Sequence, residues 1–392
     1  MLETLLGEKV GFEEAFKKLV RKYRIEKKEA DYLYRFFYKL IIHYHTIKFL
    51  AGLKGFRPTP SQIVEFLYRK DFSISSILEE ARDEAKNLSP IFRLAVLYGY
   101  PPWFVGDLYG KMPEDQLEKM LQSLNEKKRW VVVNTSKYTV EDAVNCFQEN
   151  GIAVEQHSYW KELLLVKDPF LKISNLPCVK NGGVIPQDVS SYILVNLVTQ
   201  YSGNLIDACS APGIKLSLIL SKSSYSRIVA VDLSENRVEQ LTHVVKRIAG
   251  LKPVLVVVNG DSRVLAFNME NSIVFIDAPC SNTGSIYANP TVKLYLTRRF
   301  VKRMSRNQFL LIKNALKQGK TVIYAVCSIH PREGEEVISR IIEEAWNVEL
   351  VKPSMHFAGN GYFGYPFSKS IARIYPHDVN GQGFFISLIE KR

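Results

Sequence analysis

Nowhere in its 392 residues does this sequence hold an apolar run long enough to span a bilayer, which excludes a membrane-spanning helix. Its opening, MLETLLGEKVGFEEAF, carries acids and no small-residue cleavage site, so it does not read as a secretory leader. Cysteine is scarce. The five are Cys146, Cys178, Cys209, Cys280 and Cys327, an odd number with no C-x-x-C pair. That spacing argues against a zinc site or a disulfide framework and favours a reducing compartment, the cytoplasm. Cys146 and Cys178 read as buried, inert small residues. The seven histidines lack metal-ligand spacing too: His43 and His45 are two apart and would point to different faces of a helix. No metal is expected.

Charge is present in excess of one sign. The formal net charge is +12, which suits a polyanionic partner such as nucleic acid. Its distribution is uneven. No acid occurs from Ala278 to Arg332, while Lys293, Arg298, Arg299, Lys302, Arg303, Arg306, Lys313, Lys317, Lys320 and Arg332 all lie inside. The stretch begins just after Asp277 and ends just after Cys327. Some of these bases take ordinary solvated helix positions, and the others form a strip tied to both cysteine loops.

Three regions differ in pattern. Residues 1–134 read as helical: Leu33, Phe37, Leu40, Ile41 and Tyr44 repeat at three-to-four spacing. The aromatic and basic mixture YLYRFFYKLIIHYHTIKF there reads as a bundle core in preference to an RNA-stacking face. GFRPTPSQ, from Gly55 to Gln62, reads as a turn and a helix start. Residues 135–184 read as a small α/β module, with RWVVVN, IAVEQ and ELLLVKD as strands. Thr139 and Asp142 fit a capping box, and Gly151 stops the helix between them and the next strand. Residues 185–392 alternate strand and helix, with strands NLIDACS, RIVAVDL, PVLVVVNGD, SIVFIDAP, KTVIYAVCS and GFFISLIEK. Continuous apolar strands separated by helices predict a parallel sheet covered on both faces, with ligands at the carboxyl ends of its strands.

Those ends carry Asp207 and Cys209, Asp232, Asp261, Asp277 and Cys280, and Cys327. Four acids at successive ends read as a site, because an acid avoids a buried edge without a partner. The first strand-to-helix turn, DACSAPGIKL, has one glycine, Gly213, where a dinucleotide site needs three. A nicotinamide-dependent dehydrogenase fails on that count. Asp232 can accept from both ribose hydroxyls, and Asp261 from an adenine amino group. The set suits a nucleoside without phosphates, S-adenosyl-L-methionine.

The thiols complete a chemistry. Carbon 5 of a pyrimidine is a poor nucleophile in an intact aromatic ring. A thiolate adding to carbon 6 makes carbon 5 enamine-like, and an acid at ring nitrogen 3 eases that addition. Asp277, Cys280 and Cys327 on neighbouring strand ends supply a thiol and an acid together.

The segments IPQDVSSYILVNLV, DACSAPGIK, VAVDLSENRVEQL, NGD, FIDAPCSNTGS, AVCSIHPREGEEVI and RIYPHDVNGQGFFISLIEK, in this order, resemble the Sun-type RNA cytosine-5 methyltransferases, the RsmB-like enzymes. The resemblance implies a Rossmann-like methyltransferase domain over 185–392, a NusB-like helical domain over 1–134, and an RNA-recognition-like module over 135–184. It implies Cys327 as the nucleophile and Cys280 as the group that assists product release, with Asp277 the third member of the catalytic set. It implies cofactor or base contacts from Cys209, Ser210, Ala211, Pro212, Gly213, Ile214 and Lys215, and from Asp232, Arg237, Asp261 and Asp277. The implied substrate is ribosomal or transfer RNA, acted on by a monomer.

Five positions depart from the family's pattern. Ile214 stands where a second glycine is usual, Leu216 and Val326 where threonine is, Asn282 where glycine is, and Gly334 where asparagine is. These departures motivate a rival reading, a non-catalytic RNA-binding assembly factor on the same fold. The retained thiols and acids favour the enzyme.

Overall fold

The structure is a computed structural model describing residues 1–8, 10–52, 59–267, 269, 271–344 and 347–392. The chain divides into two units. One comprises residues 1–126 and 285–298, the other residues 127–284 and 299–392.

The first unit is all-helical. Nine helices precede residue 126 among the described residues, from Leu2–Glu8 to Glu114–Ser123. Of the expected stripe, Leu40, Ile41 and Tyr44 are buried in the core, while Leu33 and Phe37 are half-buried. Thr59 caps the helix Pro60–Arg69 with a reciprocal bond to Gln62. Residues 55–58 of the expected turn lie outside the described residues.

The basic run needs a correction here. Lys293 is wholly buried in this helical unit and is no part of a surface strip. Its Nζ donates to Ile42 O at 2.8 Å, Tyr98 O at 2.6 Å and Asn125 Oδ1 at 2.7 Å, and lies over the Tyr100 ring. Three acceptors and a ring face satisfy the ammonium group, which is what lets a lysine sit in a core. Arg298 is likewise engaged, with Asp107 at 3.0 Å.

The second unit holds two sheets. The smaller has strands β1 (Trp130–Val133), β2 (Val154–Gln156), β3 (Leu163–Val166) and β4 (Val184–Pro186), in the order β2-β3-β1-β4. All its pairings are antiparallel. The strand expected at residues 129–134 is therefore bonded into the small sheet, and the first boundary moves from 134 to 126. The helix Val140–Gln148 carries the expected Thr139–Asp142 capping box.

The cysteines of this module also correct the sequence reading. Cys146 and Cys178 form a disulfide, with Cα atoms 6.4 Å apart. Packing brings the helix Val140–Gln148 against the short helix Pro177–Lys180, and no motif signals that pairing. The bridge withdraws the argument for a reducing compartment that rested on unpaired cysteines.

The larger sheet has strands β5 (Gly203–Asp207), β6 (Tyr225–Asp232), β7 (Leu255–Asn259), β8 (Ile273–Asp277), β9 (Thr321–Val326), β10 (Val348–Val351), β11 (Ala372–Ile374) and β12 (Phe384–Lys391). Its order is β10-β12-β9-β8-β5-β6-β7, with β11 also on β12. The strands β5 to β9 are parallel. β12 runs antiparallel to β9, which an apolar run buried on both faces cannot foretell. Apolar clusters cover both faces, one around Tyr192, Leu216 and Phe275, the other around Ile276, Ile312 and Tyr324. This is a Rossmann-like arrangement. The chain leaves β5 in one direction through β6 and β7, then returns to β8 on its other side. A crevice opens at such a reversal, at the carboxyl ends of the strands. Among the described residues no helix is long and apolar enough to cross a membrane.

Candidate active site

Every strand from β5 to β9 ends on one cavity of about 450 Å³. β5 supplies Ala208, Cys209 and Ala211; β6 supplies Asp232; β7 supplies Asp261. β8 supplies Asp277 and Cys280, and β9 supplies Cys327. Volume and lining suit a small-molecule site, since such clefts run from about 300 to 1,000 Å³.

The turn after β5 is built on its single glycine. Gly213 has φ 95°, a left-handed conformation, and a Cβ there would press Leu241 at 3.1 Å. Ser210 is buried and its hydroxyl donates to Asp207 Oδ2 at 2.7 Å. Among the described residues Asp207 Oδ1 has no hydrogen-bond partner, and burial pushes the carboxyl up to about 7. Cys209 packs in this turn, where burial and then the Asp207 charge push its thiol well up, so it is a poor nucleophile. After Pro212, the helix Ile214–Lys222 starts at Ile214, whose side chain packs on the core. Lys215 Nζ reaches Asp277 Oδ2 at 2.6 Å. Burial lowers the lysine's affinity for its proton, but the Asp277 charge outweighs that and the net shift is upward.

Asp232 is 6% exposed. It accepts the Ala211 N–H at 3.1 Å and the Ser234 N–H at 3.3 Å, and Arg237 stands 3.5 Å away. Arg237 itself donates to Ala211 O at 2.6 Å, closing the turn onto β6. Asp261 faces the same cavity, yet both its oxygens take Arg263, with Nε at 2.9 Å and Nη2 at 2.7 Å. The guanidinium holds that carboxyl below its usual range. The pairing with Arg263, two residues on, is a short-range signal that the sequence reading missed.

The two thiols are neighbours: Cys280 Sγ lies 3.3 Å from Cys327 Sγ. Both are free. The contact with Cys327 and then burial push the Cys280 thiol well up. Their loops are laced together. Gly284 N–H donates to Cys327 O at 3.0 Å and Gly383 N–H to Gly284 O at 2.8 Å. A Cβ on Gly284 would lie 2.0 Å from the Gly383 carbonyl, so only glycine fits that approach.

Glu333 escaped the sequence reading. It is wholly buried and accepts from Ser281 N, Ser281 Oγ, Gln308 Nε2 and Ser328 Oγ. The only hint was one acid in PREGEEV, a helix start rich in acids. The departures Leu216 and Val326 are wholly buried in apolar clusters, which explains the missing hydroxyls there. A Cβ at Gly334 would come within 2.6 Å of the Phe385 ring.

Three comparisons bear on this arrangement. Residues 194–390 match the family model described as 16S rRNA methyltransferase RsmB/F, and residues 100–172 match its ferredoxin-like domain. The ribosomal RNA small subunit methyltransferase B of Serratia proteamaculans is 28% identical over 302 residues, 75% of this chain and 67% of the relative. The protein of that name from Yersinia pestis is 26% identical over 303 residues, with the same coverage. The crystal structure of PH0851 superposes with a TM-score of 0.74 at 22% identity, covering 96% of this chain and 93% of that one. A methyltransferase homologue from Pyrococcus horikoshii gives 0.62 at 24% identity, covering 78% and 100%. NSun6 from Pyrococcus horikoshii, solved with SFG, gives 0.62 at 17% identity, covering 74% and 98%. These structural likenesses establish the fold.

Proposed function

Because this chain belongs to the 16S rRNA methyltransferase RsmB/F family, we propose that it forms 5-methylcytosine in ribosomal or transfer RNA, with S-adenosylmethionine as methyl donor and Cys327 as covalent nucleophile. One observation carries the reading. Two free thiols, 3.3 Å apart, share a cavity with Asp277 and with a buried carboxylate, Asp232.

The donor set fits S-adenosylmethionine. Asp232 would hold the ribose hydroxyls, since backbone N–H groups fix its carboxylate and leave lone pairs toward the cavity. The partnerless Asp207 Oδ1 offers a further acceptor beside the turn from Cys209 to Lys215. When bound, the cofactor supplies an electrophilic methyl group for carbon 5.

The chain's residues do the rest. The target base must lie in a loop or be flipped out, because a duplex would hide it. Cys327, as thiolate, forms a bond to carbon 6, and the electron pair of the 5,6 double bond moves toward carbon 5. Asp277 holds the base edge. As the acid at ring nitrogen 3 it gives the base edge its proton and takes it back when the adduct collapses, while Lys215, 2.6 Å away, fixes the carboxyl group in place. After methylation the carbon 5 proton passes to a base at the cavity, water included, the C–H electron pair re-forms the 5,6 double bond, and the sulfur–carbon bond breaks so that Cys327 leaves as thiolate. Cys280 assists this release.

The test uses methyl-labelled S-adenosylmethionine, the full chain and RNA, followed by nucleoside mass spectrometry. Wild type should yield labelled 5-methylcytidine and Cys327→Ala none. Label in another nucleoside, or none on any RNA offered, overturns the reading in favour of a binding platform.

A further inference from the structure

We infer that Asn282 is a positioning residue for the thiol pair, offering its carboxamide to Cys327 and its main-chain N–H to Cys280. The inference rests on the reaction proposed above.

Asn282 has φ 57°, the left-handed region that favours glycine. Glycine is also what the family's pattern usually has there. Asparagine is among the few residues with a side chain that tolerate this conformation. The turn alone therefore asks for no side chain, and something else must account for this one. Its contacts do. Cys327 Sγ lies 3.0 Å from Asn282 Oδ1, with Cys280 Sγ at 3.6 Å from the same oxygen. The Asn282 N–H donates to Cys280 Sγ at 3.4 Å. The residue lines the cavity with both cysteines.

A carboxamide has an acceptor end and a donor end of nearly the same shape. Its oxygen takes the S–H of the resting Cys327 thiol. After a half-turn of the amide, its NH₂ group donates to the thiolate that must attack. Bonds to an ion are stronger than bonds to its neutral form, so on balance the side chain favours the nucleophilic state. Glycine can do neither.

The charged and titratable groups facing the pair are Lys215 with Asp277, Glu333 behind Ser281 and Ser328, and, across the cavity, Cys209 and the Asp232–Arg237 and Asp261–Arg263 pairs. All stay in place in the variants used below.

The test measures alkylation of Cys327 by iodoacetamide against pH in the full chain, read by peptide mass mapping, with no RNA or cofactor. Asn282→Gly should slow the reaction about tenfold at neutral pH and move its rising limb to higher pH, since the lost bond is worth more to the thiolate than to the thiol. Asn282→Asp should move it further, because a carboxylate cannot donate and repels the thiolate. Both replacements accept the left-handed backbone, so a purely structural role for Asn282 would leave the profile at wild type. A wild-type profile in both variants overturns the inference, as does faster alkylation in Asn282→Gly. A wild-type enzyme that methylates no RNA would sink the proposed function, and the alkylation profiles would still decide this point.

Discussion

The hydroxyl of Ser328 donates to Glu333 Oε2 at 2.7 Å, while the N–H of Ser281 donates to the other oxygen of the same carboxylate at 2.8 Å. Ser328 follows Cys327 and Ser281 follows Cys280, so one buried side chain ties the two thiol loops to each other. Gln308, from the helix Arg298–Gln318, joins at 3.1 Å. Glu333→Ala should leave the buried Ser281 N–H unpaired, at about 1–3 kcal/mol, and take one of two acceptors from the Gln308 amide, which keeps Pro279 O. Thermal unfolding should show a midpoint lowered by several degrees, and Glu333→Gln, which keeps one acceptor, should fall less. An unchanged midpoint in Glu333→Ala would show that the loops are held by other means.

Much of this site was legible in the sequence because parallel strands buried on both faces leave one place for chemistry, their carboxyl ends. Asp207, Asp232, Asp261, Asp277, Cys280 and Cys327 each end a strand, and all but Asp207 line one cavity. Asp207 lines the smaller one beside it. What escaped depends on contacts between residues far apart in the chain. Glu333 looks like one acid among several in PREGEEV, and only folding shows that it is turned inward. Lys293 lies in an acid-free run, yet its acceptors come from Ile42, Tyr98 and Asn125, roughly two hundred residues away. The Cys146–Cys178 bridge has no motif because its closeness comes from helix packing. Strand direction at β12 was hidden for a similar reason: burial on both faces says nothing of which way the chain runs.

Cofactor affinity should depend on Asp232. Its carboxylate is buried, fixed by two N–H groups and open to the cavity. Asp232→Ala removes hydrogen bonds to ribose hydroxyls worth about 1.5–3 kcal/mol each. Calorimetry should find S-adenosylmethionine bound at least tenfold more weakly. Equal affinity would remove Asp232 from the binding set.

RNA affinity should fall steeply with salt, and the helix Arg298–Gln318 should carry part of that slope. Arg299, Lys302, Arg303 and Arg306 are exposed and fall on one helical face. Lys293 is excluded by its burial, and Arg298, though exposed, is left out because it pairs with Asp107. Replacing the four exposed bases by alanine should reduce the magnitude of the slope of log affinity against log salt by up to about 3, since each neutralised phosphate contributes about 0.7 for a single strand. If the slope does not change, this face meets no phosphate.

The two thiols should fail in different ways. Cys327 and Cys280 are in contact, so either could reach a base held by Asp277, and proximity alone does not assign their roles. Order in the reaction does. A missing nucleophile stops the first bond, whereas a missing release group stops the last. Cys327→Ala should therefore form no adduct and no product. Cys280→Ala should still attack carbon 6 and take the methyl group, then fail to let go, so a protein–RNA complex that survives denaturation should accumulate. The double variant should trap nothing, because release matters only after attack. A denaturing gel with labelled RNA and S-adenosylmethionine reads all three. Trapping in Cys327→Ala but not in Cys280→Ala would exchange the two roles, leaving the buried thiol, the one pushed up by its neighbour and by burial, as the nucleophile. That outcome would also need the more buried of the two thiols to reach the base first, which is the physical reason to expect the opposite band pattern.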